Sequence, residues 1–519
     1  MSDCDIPLCQ SNIDPSCANM DCVFNVDAVN IEKLFKRTDD LKEAYDLLDT
    51  KIFANETNIE SLLERIGYAE ESIDELESVH VRTEAELVAA LNSQKTIIIQ
   101  GDVEIGGQYN ITVPTRIKGE PGATLVCQSP TWTFNIASSF ELYDLKVLGT
   151  SNNVGYFINI GGTQRAGTNS KFKLIRCWFE NFGNVVTMTG GNTSPLGPRT
   201  VIYDCDFKNI GGTGFTGFGQ EGAIYMAWHL GHTVIDSCRF HDGSIWGNPV
   251  LLAQSGVEGV HTLGEPLYVT RNHMVNFHRN GIELYIAGKG FISQNYIEGG
   301  DATFSNTPSG SGIGISAAGG NTIVFNNTLN NVWGYGIEIF REGNTVEGNT
   351  VNKVGIDNPA NAGRGISIDQ CTKSTFKNNV VKNITFLNSA RYGLVCVNSS
   401  DIIIKGNSFD NVSYAFWIAN GCERITVRDN DMRLDVDPVL LLGSFTPMGV
   451  TVWSGTKNKM FNNVATIGAN LAGVISGPQT ANLFSFNSGS GGYVDFTPTL
   501  IGPVGGLTGV TNSSTNIAV

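Results

Sequence analysis

The chain has 519 residues with 60 glycines, and only 16% of it is charged, well under the roughly 25% of ordinary globular chains. Residues 1–79 carry 19 acids and 6 bases, which leaves 31 acids and 28 bases on residues 80–519; so neutral a body lacks the basic stripe that nucleic acid requires, while a neutral or anionic polysaccharide stays possible. No apolar run of about eighteen residues occurs, so no membrane insertion is expected, and MSDCDIPLCQ has neither the basic start nor the apolar core of an export signal, so synthesis in a cytosol is expected.

Residues 1–30 lack periodicity and read as a short adaptor. Their Cys4, Cys9, Cys17 and Cys22 are separated by four, seven and four residues, which is not the CxxC spacing of common zinc sites. Two readings stay open: thiols packed in a small anchor, or a disulfide or metal clasp. From Ile31 to Leu76 the core positions alternate spacings of three and four, through Leu34, Leu41, Leu48, Ile52, Ile59, Leu62, Ile66 and Ile73, with Thr38, Tyr45, Asn55 and Ala69 completing the series. That strict 3.5-residue period predicts a coiled-coil stalk over 31–79 that associates with copies of itself. Ile at the first core position with Leu at the second favours dimers by the usual rule.

After the stalk, Thr83 and Glu86 form a capping-box pair ahead of Leu87, Val88 and Leu91, which predicts a short helix covering the open end of whatever follows. TIIIQGDVEI and NITVPTRIKGEPGATLVC then alternate apolar and polar residues between turns, the period of half-buried strands. The region 80–464 reads as this helix and a repeating body. Within it GIELY at 281, GIGIS at 312, GIEIF at 336, GISID at 365 and GLVCV at 393 return at intervals of 31, 24, 29 and 28 residues. A strand-length word on such a period signals a solenoid, because one repeat cannot bury its own apolar face.

A second column fixes the period. Cys177, Cys205, Cys238, Asn272, Asn295, Asn327, Asn349, Asn379, Asn407, Asn430 and Asn463 are each followed two residues on by an apolar one, from Phe179 to Ala465. Asn at a strand-end turn tolerates left-handed backbone angles, and its amide can bond the same residue in the coils above and below. The expected fold is all-β: a right-handed parallel β-helix with strands about 4.8 Å apart, preceded by the coiled-coil stalk. The three Cys read as a buried thiol ladder replacing Asn. Residues 465–519 hold one charge, Asp495, and no coil phrase, and are expected to form a β-rich cap or to pack against other subunits.

Aligning the words gives two outward columns. One reads Tyr225, Glu283, Gly314, Glu338, Ser367, Val395, Trp417 and Thr451; the other reads Ala227, Tyr285, Ser316, Phe340, Asp369, Val397, Ala419 and Trp453. Aromatic faces stack on sugars, and paired carboxylates perform acid and base chemistry. In this alignment Glu283 and Glu338 lie about 9.6 Å apart across a notch at Gly314, and Glu338 and Asp369 roughly 8 Å apart. Both separations suit an inverting hydrolase, so Glu283, Glu338 and Asp369 are the catalytic candidates. Tyr225, Trp228, His229, Tyr285, Gly314, Phe340, Arg341, Glu342 and Trp417 are the candidate substrate-binding residues. Each also has a plainer reading as a solvated charge, a covered surface or a subunit contact. Six of the seven His fall between 229 and 278 with no HExxH pattern, so surface and turn His, with neither a metal nor a cofactor, is expected. Elimination on a uronate polymer, with Tyr285 as base and Arg341 as cation, is the alternative chemistry.

The acidic adaptor, the heptad stalk, the TEAELVAALNSQKTIIIQGDVEI segment and the coils with their Asn ladder together resemble a bacteriophage tailspike depolymerase; that segment alone is similar to the start of pectate-lyase-like β-helices. The resemblance implies a homotrimer joined by its N-terminus to other virion tail or baseplate proteins. It also implies an endo-acting glycoside hydrolase that binds and cleaves a bacterial surface polysaccharide, capsule or O-antigen, with a non-catalytic receptor-binding tail fibre protein as the other possibility.

Overall fold

The computed structural model describes most of residues 78–467 and short strands as far as Ala518. Outside the described residues lie 1–77, the stretches 151–154, 162–165, 190–196, 212–221, 228–230, 243–247, 254–265, 277–279, 286–288, 300–311, 356–362, 385–391 and 435–447, a few single positions, and much of 468–519. The adaptor, its four cysteines and the heptad stalk therefore fall outside them.

Three strands per coil stack in three parallel columns, as the sequence period requires. The first column runs from Tyr109–Ile111 through Ile282–Tyr285 and Tyr335–Glu342 to Val474–Ile475, the second from Ser78–Val81 through Leu267–Thr270 and Thr345–Glu347 to Thr511–Asn512, and the third from Asp102–Ile105 through His273–Val275 to Ile517–Ala518. All pairings are parallel and nearly all in register, for example Phe179 to Phe207, Phe207 to Phe240 and Phe240 to Met274. The protein is a right-handed parallel β-helix. Its core is a set of like-on-like stacks: Phe179, Phe207 and Phe240 are buried with ring centroids 5.3 and 4.6 Å apart. Each such side chain contributes about 2–3 kcal/mol of apolar burial.

Stacking begins earlier and ends later than the sequence suggests. Ser78–Val81 already pairs with Thr96–Ile99, so helix α1 (Glu84–Ala90) lies between the first two rungs rather than ahead of them. Its capping box is present, Thr83 Oγ1 accepting from Glu86 N and Glu86 Oε2 from Thr83 N. Leu87 and Leu91 are buried as expected, whereas Val88 is 42% exposed. At the far end Ser488–Ser490 pairs with Val464–Ile467, and Ile517–Ala518 with Ser488–Ser490; the columns continue past Val464. Among the described residues no helix is long and apolar enough to cross a membrane.

The Asn ladder occupies the connection from the second to the third column, which is two residues long in coil after coil, as between Thr270 and His273 or Ser293 and Tyr296. The first of the two residues, not the ladder Asn, takes the left-handed angle: Arg271, Gln294, Asn326, Gly348 and Asn378 have φ between 51° and 66°. This corrects one of the two reasons for Asn, the turn angle, and leaves the other, the amide ladder, standing. Its carboxamide is there to close hydrogen bonds in a dry turn, Asn349 Nδ2 donating to Asn379 Oδ1 and Val324 O at 2.9 Å while Asn349 Oδ1 accepts from Asn327 N at 2.9 Å. Cys177, Cys205 and Cys238 continue the ladder as free, buried thiols whose Sγ donates to backbone carbonyls. Burial pushes the Cys177 and Cys205 thiols well above their ordinary range, so they stay protonated.

Candidate functional site

Loop length singles out one face of the solenoid. The turn between the second and third columns is two residues in nearly every coil and four at most, but connections that flank the first column are long: 209–221, 254–266, 299–314 and 435–447. In stacked repeats, insertions gather on the face that meets a ligand. The first column is therefore the elaborated face.

Its outward positions read Tyr225, Glu283, Ser316, Glu338, Ser367, Val395 and Trp417; the strand register joins them in one row, passing through position Leu251 between Tyr225 and Glu283 and on to position Thr451 after Trp417. Ser316, not Gly314, stands between the two glutamates. Ile282 pairs with Ile315, so the word of that coil begins at Gly314, two residues later than the expected frame. Gly314 points inward: a Cβ there would lie 2.4 Å from Leu329 Cδ2 and 2.8 Å from Gly336 O. The expected notch at Gly314 does not exist, and the Ser316 hydroxyl fills its place by donating to Glu338 Oε2 at 3.1 Å.

Glu338 is the chemical centre of this face. Its carboxyl is pushed up to about 6, mainly by burial, with Glu283 and Asp369 adding to the rise and Ser316 and Arg364 opposing it. All three predicted carboxylates thus lie within electrostatic reach of one another. Glu283 is 3% exposed and accepts from Asn280 Nδ2 at 3.0 Å. Asp369 is half-buried, pairs across strands with Phe340 and accepts from Asn398 Nδ2 at 3.2 Å. With the Glu338 proton held near neutrality beside two further carboxylates, the group is suited to paired acid and base work.

Residues beside the phrase complete the site. Tyr335, Arg364 and Tyr392 pair in one column, immediately before the leading glycines of their strands. The Arg364 guanidinium lies 4.7 Å over the Tyr335 ring and Nη1 donates to Ser367 Oγ at 3.1 Å. Arg364 Nε is buried without a hydrogen-bond partner, a donor left over for a ligand oxygen. Tyr392 stacks on Trp417 at 4.7 Å. The sequence carried this signal in YGIEIF, RGISID and YGLVCV, where the residue before each Gly is aromatic or cationic.

The other candidates divide. Phe340 and Trp417 are half-buried on the carboxylate face. Tyr225 lies on the same column but is only 8% exposed, so it is a covered residue and not an open stacking surface. Arg341 sits at a register shift with φ 66°, and both it and Glu342 are exposed beyond the flat part of the strand, where Glu342 faces Lys373 at 4.0 Å. Tyr285 holds a first-column strand position, its side chain outside the described residues, and Trp228 and His229 lie outside them altogether. His241 and His273 belong to the third column, away from this face. Among the described residues no group of three or more His, Cys, Asp or Glu is arranged to hold a metal.

A family model described as right handed beta helix region matches residues 227–385 and 377–465. No curated protein matches the chain. Among solved structures, the periplasmic alginate epimerase AlgG is similar over 79% of this chain and 85% of its own at 14% identity and a TM-score of 0.32. Tailspike protein 3 of bacteriophage CBA120 is similar over 84% of this chain and 58% of its own at 10% identity and a TM-score of 0.39. A mannuronic acid specific polysaccharide family 6 lyase from human gut microbiota is similar over 79% of this chain and 87% of its own at 12% identity and a TM-score of 0.34.

Proposed function

We propose that the first-column face binds a bacterial surface polysaccharide and hydrolyses it within the chain. The observation that carries this reading is the raised carboxyl of Glu338 beside two further carboxylates on the face with the long loops. In this scheme Glu338 protonates the leaving glycosidic oxygen. Asp369, the less buried of the other two, takes a proton from the attacking water as that water forms the new bond at the anomeric carbon. The two lie one coil and two positions apart, roughly 8 Å between Cα atoms, a spacing compatible with the roughly 6.5–9.5 Å between carboxyl groups of inverting enzymes. Glu283, buried and held by Asn280, acts on Glu338 through its charge rather than on the sugar, and Trp417 and Tyr392 offer apolar surface to the sugar rings. Residues 31–76 associate copies of the chain, and residues 1–30 attach the assembly to a phage tail; this part rests on the heptad pattern and the acidic N-terminus.

One observation favours a second chemistry on the same face. The unpartnered Arg364 Nε is the kind of donor that would hold a uronate carboxyl while a base removes the neighbouring proton and the glycosidic bond breaks by elimination. Glu338→Gln and Asp369→Asn separate the possibilities. Hydrolysis predicts a loss of turnover of about a hundredfold or more with polymer binding retained, since the amides keep shape but lose proton transfer. New reducing ends without a conjugated double bond mark hydrolysis, and ultraviolet absorbance from that double bond marks elimination. Full activity in both variants would remove the site from this face.

A further inference from the structure

The outward row that carries Glu338 begins far from it. In register, Asn110 pairs with Asn135, Asn135 with Asn159, Asn159 with Thr187 and Thr187 with Tyr225, from which the row runs on to Glu283 and Glu338. Exposure along it is uneven. Asn110 is exposed and Asn135 and Asn159 are half-buried, whereas Thr187 and Tyr225 are only 6% and 8% exposed. A covered stretch thus separates an open patch near the start of the solenoid from the carboxylates. The Asn135 rung lies seven rungs from that of Glu338, about 34 Å. The patch repeats the layout of the carboxylate site. Trp132 stands three residues before Asn135 and Tyr156 three before Asn159, paired with each other and half-buried, as Tyr335 stands before Glu338 and Arg364 before Ser367.

The amides of this row do not hold the backbone together. Asn135 Nδ2 donates to Asn110 Oδ1 at 2.9 Å and Asn159 Nδ2 to Asn135 Oδ1 at 3.0 Å, and among the described residues no main-chain group bonds to any of the three side chains. The buried ladder differs, since Asn349 Oδ1 accepts from Asn327 N. Among the described residues nothing takes Asn110 Nδ2 or Asn159 Oδ1 at the two ends of the outer row. An amide offers both a donor and an acceptor to neighbouring sugar hydroxyls, and aromatic faces pack on the C–H faces of sugar rings. None of Asn110, Trp132, Asn135, Tyr156 and Asn159 is charged. We infer that these five residues form a second, non-catalytic subsite for neutral, hydroxyl-rich sugar units of the same polymer. The subsite presupposes the polysaccharide reading proposed above. A polymer held at both patches meets the carboxylates at a raised local concentration, which multiplies affinity for long chains without any new contact at Glu338.

The test adds Trp132→Ala, or Asn135→Ala with Asn159→Ala, to a full-length Glu338→Gln chain, so that polymer is bound and not consumed. Equilibrium binding is measured for bacterial capsule and O-antigen polymers, and for acid-hydrolysed fragments of them shorter than the span of about 34 Å. Binding of the long polymer should weaken about tenfold or more in both variants, while the fragments still bind at the carboxylates. Unchanged affinity for the long polymer in the asparagine variant overturns the subsite and leaves the polysaccharide reading standing. That variant decides the matter if Trp132→Ala does not fold, since its amides bond no backbone group among the described residues. Equal losses for long polymer and fragments also overturn the subsite, because the patch would then act through the carboxylate site and not as a second one. No polymer bound by the parent or by Glu338→Gln overturns both.

Discussion

Replacing Asn349 with alanine tests whether the ladder, and not the turn angle, is why Asn recurs. Asn349 Oδ1 accepts from Asn327 N and Asn327 Nδ2, both at 2.9 Å, and Nδ2 donates to Asn379 Oδ1 and Val324 O, also at 2.9 Å. After the change Asn327 Nδ2 retains Ile292 O, and Asn379 Oδ1 retains Asn349 N. Asn327 N–H loses its acceptor in a turn only 1% exposed, which costs about 1–3 kcal/mol, and each other lost bond adds about 1 kcal/mol. The sum is about 4–6 kcal/mol. Asn349→Cys should cost less, because Sγ can donate to a carbonyl as Cys238 does to Ile202 O. Asn349→Asp should cost at least as much as alanine, since it sets a carboxylate against Val324 O and Asn379 Oδ1. Solenoids need not unfold in one step, so the assay is amide hydrogen exchange on the full chain, where about 4 kcal/mol is roughly a thousandfold faster exchange at Asn327. Unchanged protection at Asn327, or an Asp variant steadier than the Ala one, would refute the reasoning.

Other outcomes follow from the same geometry. Gly314→Leu should fail to give a folded body, because its side chain enters the core against Leu329 and Gly336; a folded variant with weakened polymer binding would instead restore the notch. With Glu338 as acid and its carboxyl raised to about 6, kcat/KM should fall as pH rises through about 6, and a flat profile from pH 5 to 8 would exclude that role. The same shift sets a sign on stability. A carboxyl raised in the folded state favours folding below its unfolded value near 4.5 and loses that contribution as pH rises through about 6. Glu338→Gln should thus resist heat better than the parent at pH 8 and match it most closely near pH 4.5; the opposite order in thermal melts would show that burial does not govern Glu338. Arg364→Met should weaken binding of an acidic polymer more than of a neutral one if the spare Nε takes a carboxyl, as equilibrium binding to both would reveal.

The solenoid was legible because its signals are local and repeat. Phe179 to Ala465 form one paired column as the spacing required, and Thr83 and Glu86 cap the helix they announce. The frame at GIGIS was not legible. A two-residue slip leaves every side chain on its own face, so the alternation that finds the strand cannot choose between Gly312 and Gly314; only the pairing of Ile282 with Ile315 decides. Left-handed turn positions escaped for a related reason, since Arg271, Gln294 and Asn326 share an angle but no residue type. At the site, Glu283, Glu338 and Asp369 were visible as outward acids on three of the repeated words. Tyr225 shows the limit of that logic: an outward strand position says which way a side chain leaves the sheet, and loop packing then sets its exposure. Arg364 was overlooked because it precedes the phrase, although its contacts with Tyr335 and Ser367 bring it to the carboxylates.

The most direct measurement of the central claim is the chain length of bacterial capsule and O-antigen polysaccharides incubated with the purified full-length protein, followed by size-exclusion chromatography and a reducing-end assay. The account predicts that at least one polymer shortens, with new reducing ends that appear with the parent and are nearly lost with Glu338→Gln. Binding to a polymer that is never shortened, by parent or variant, would contradict it.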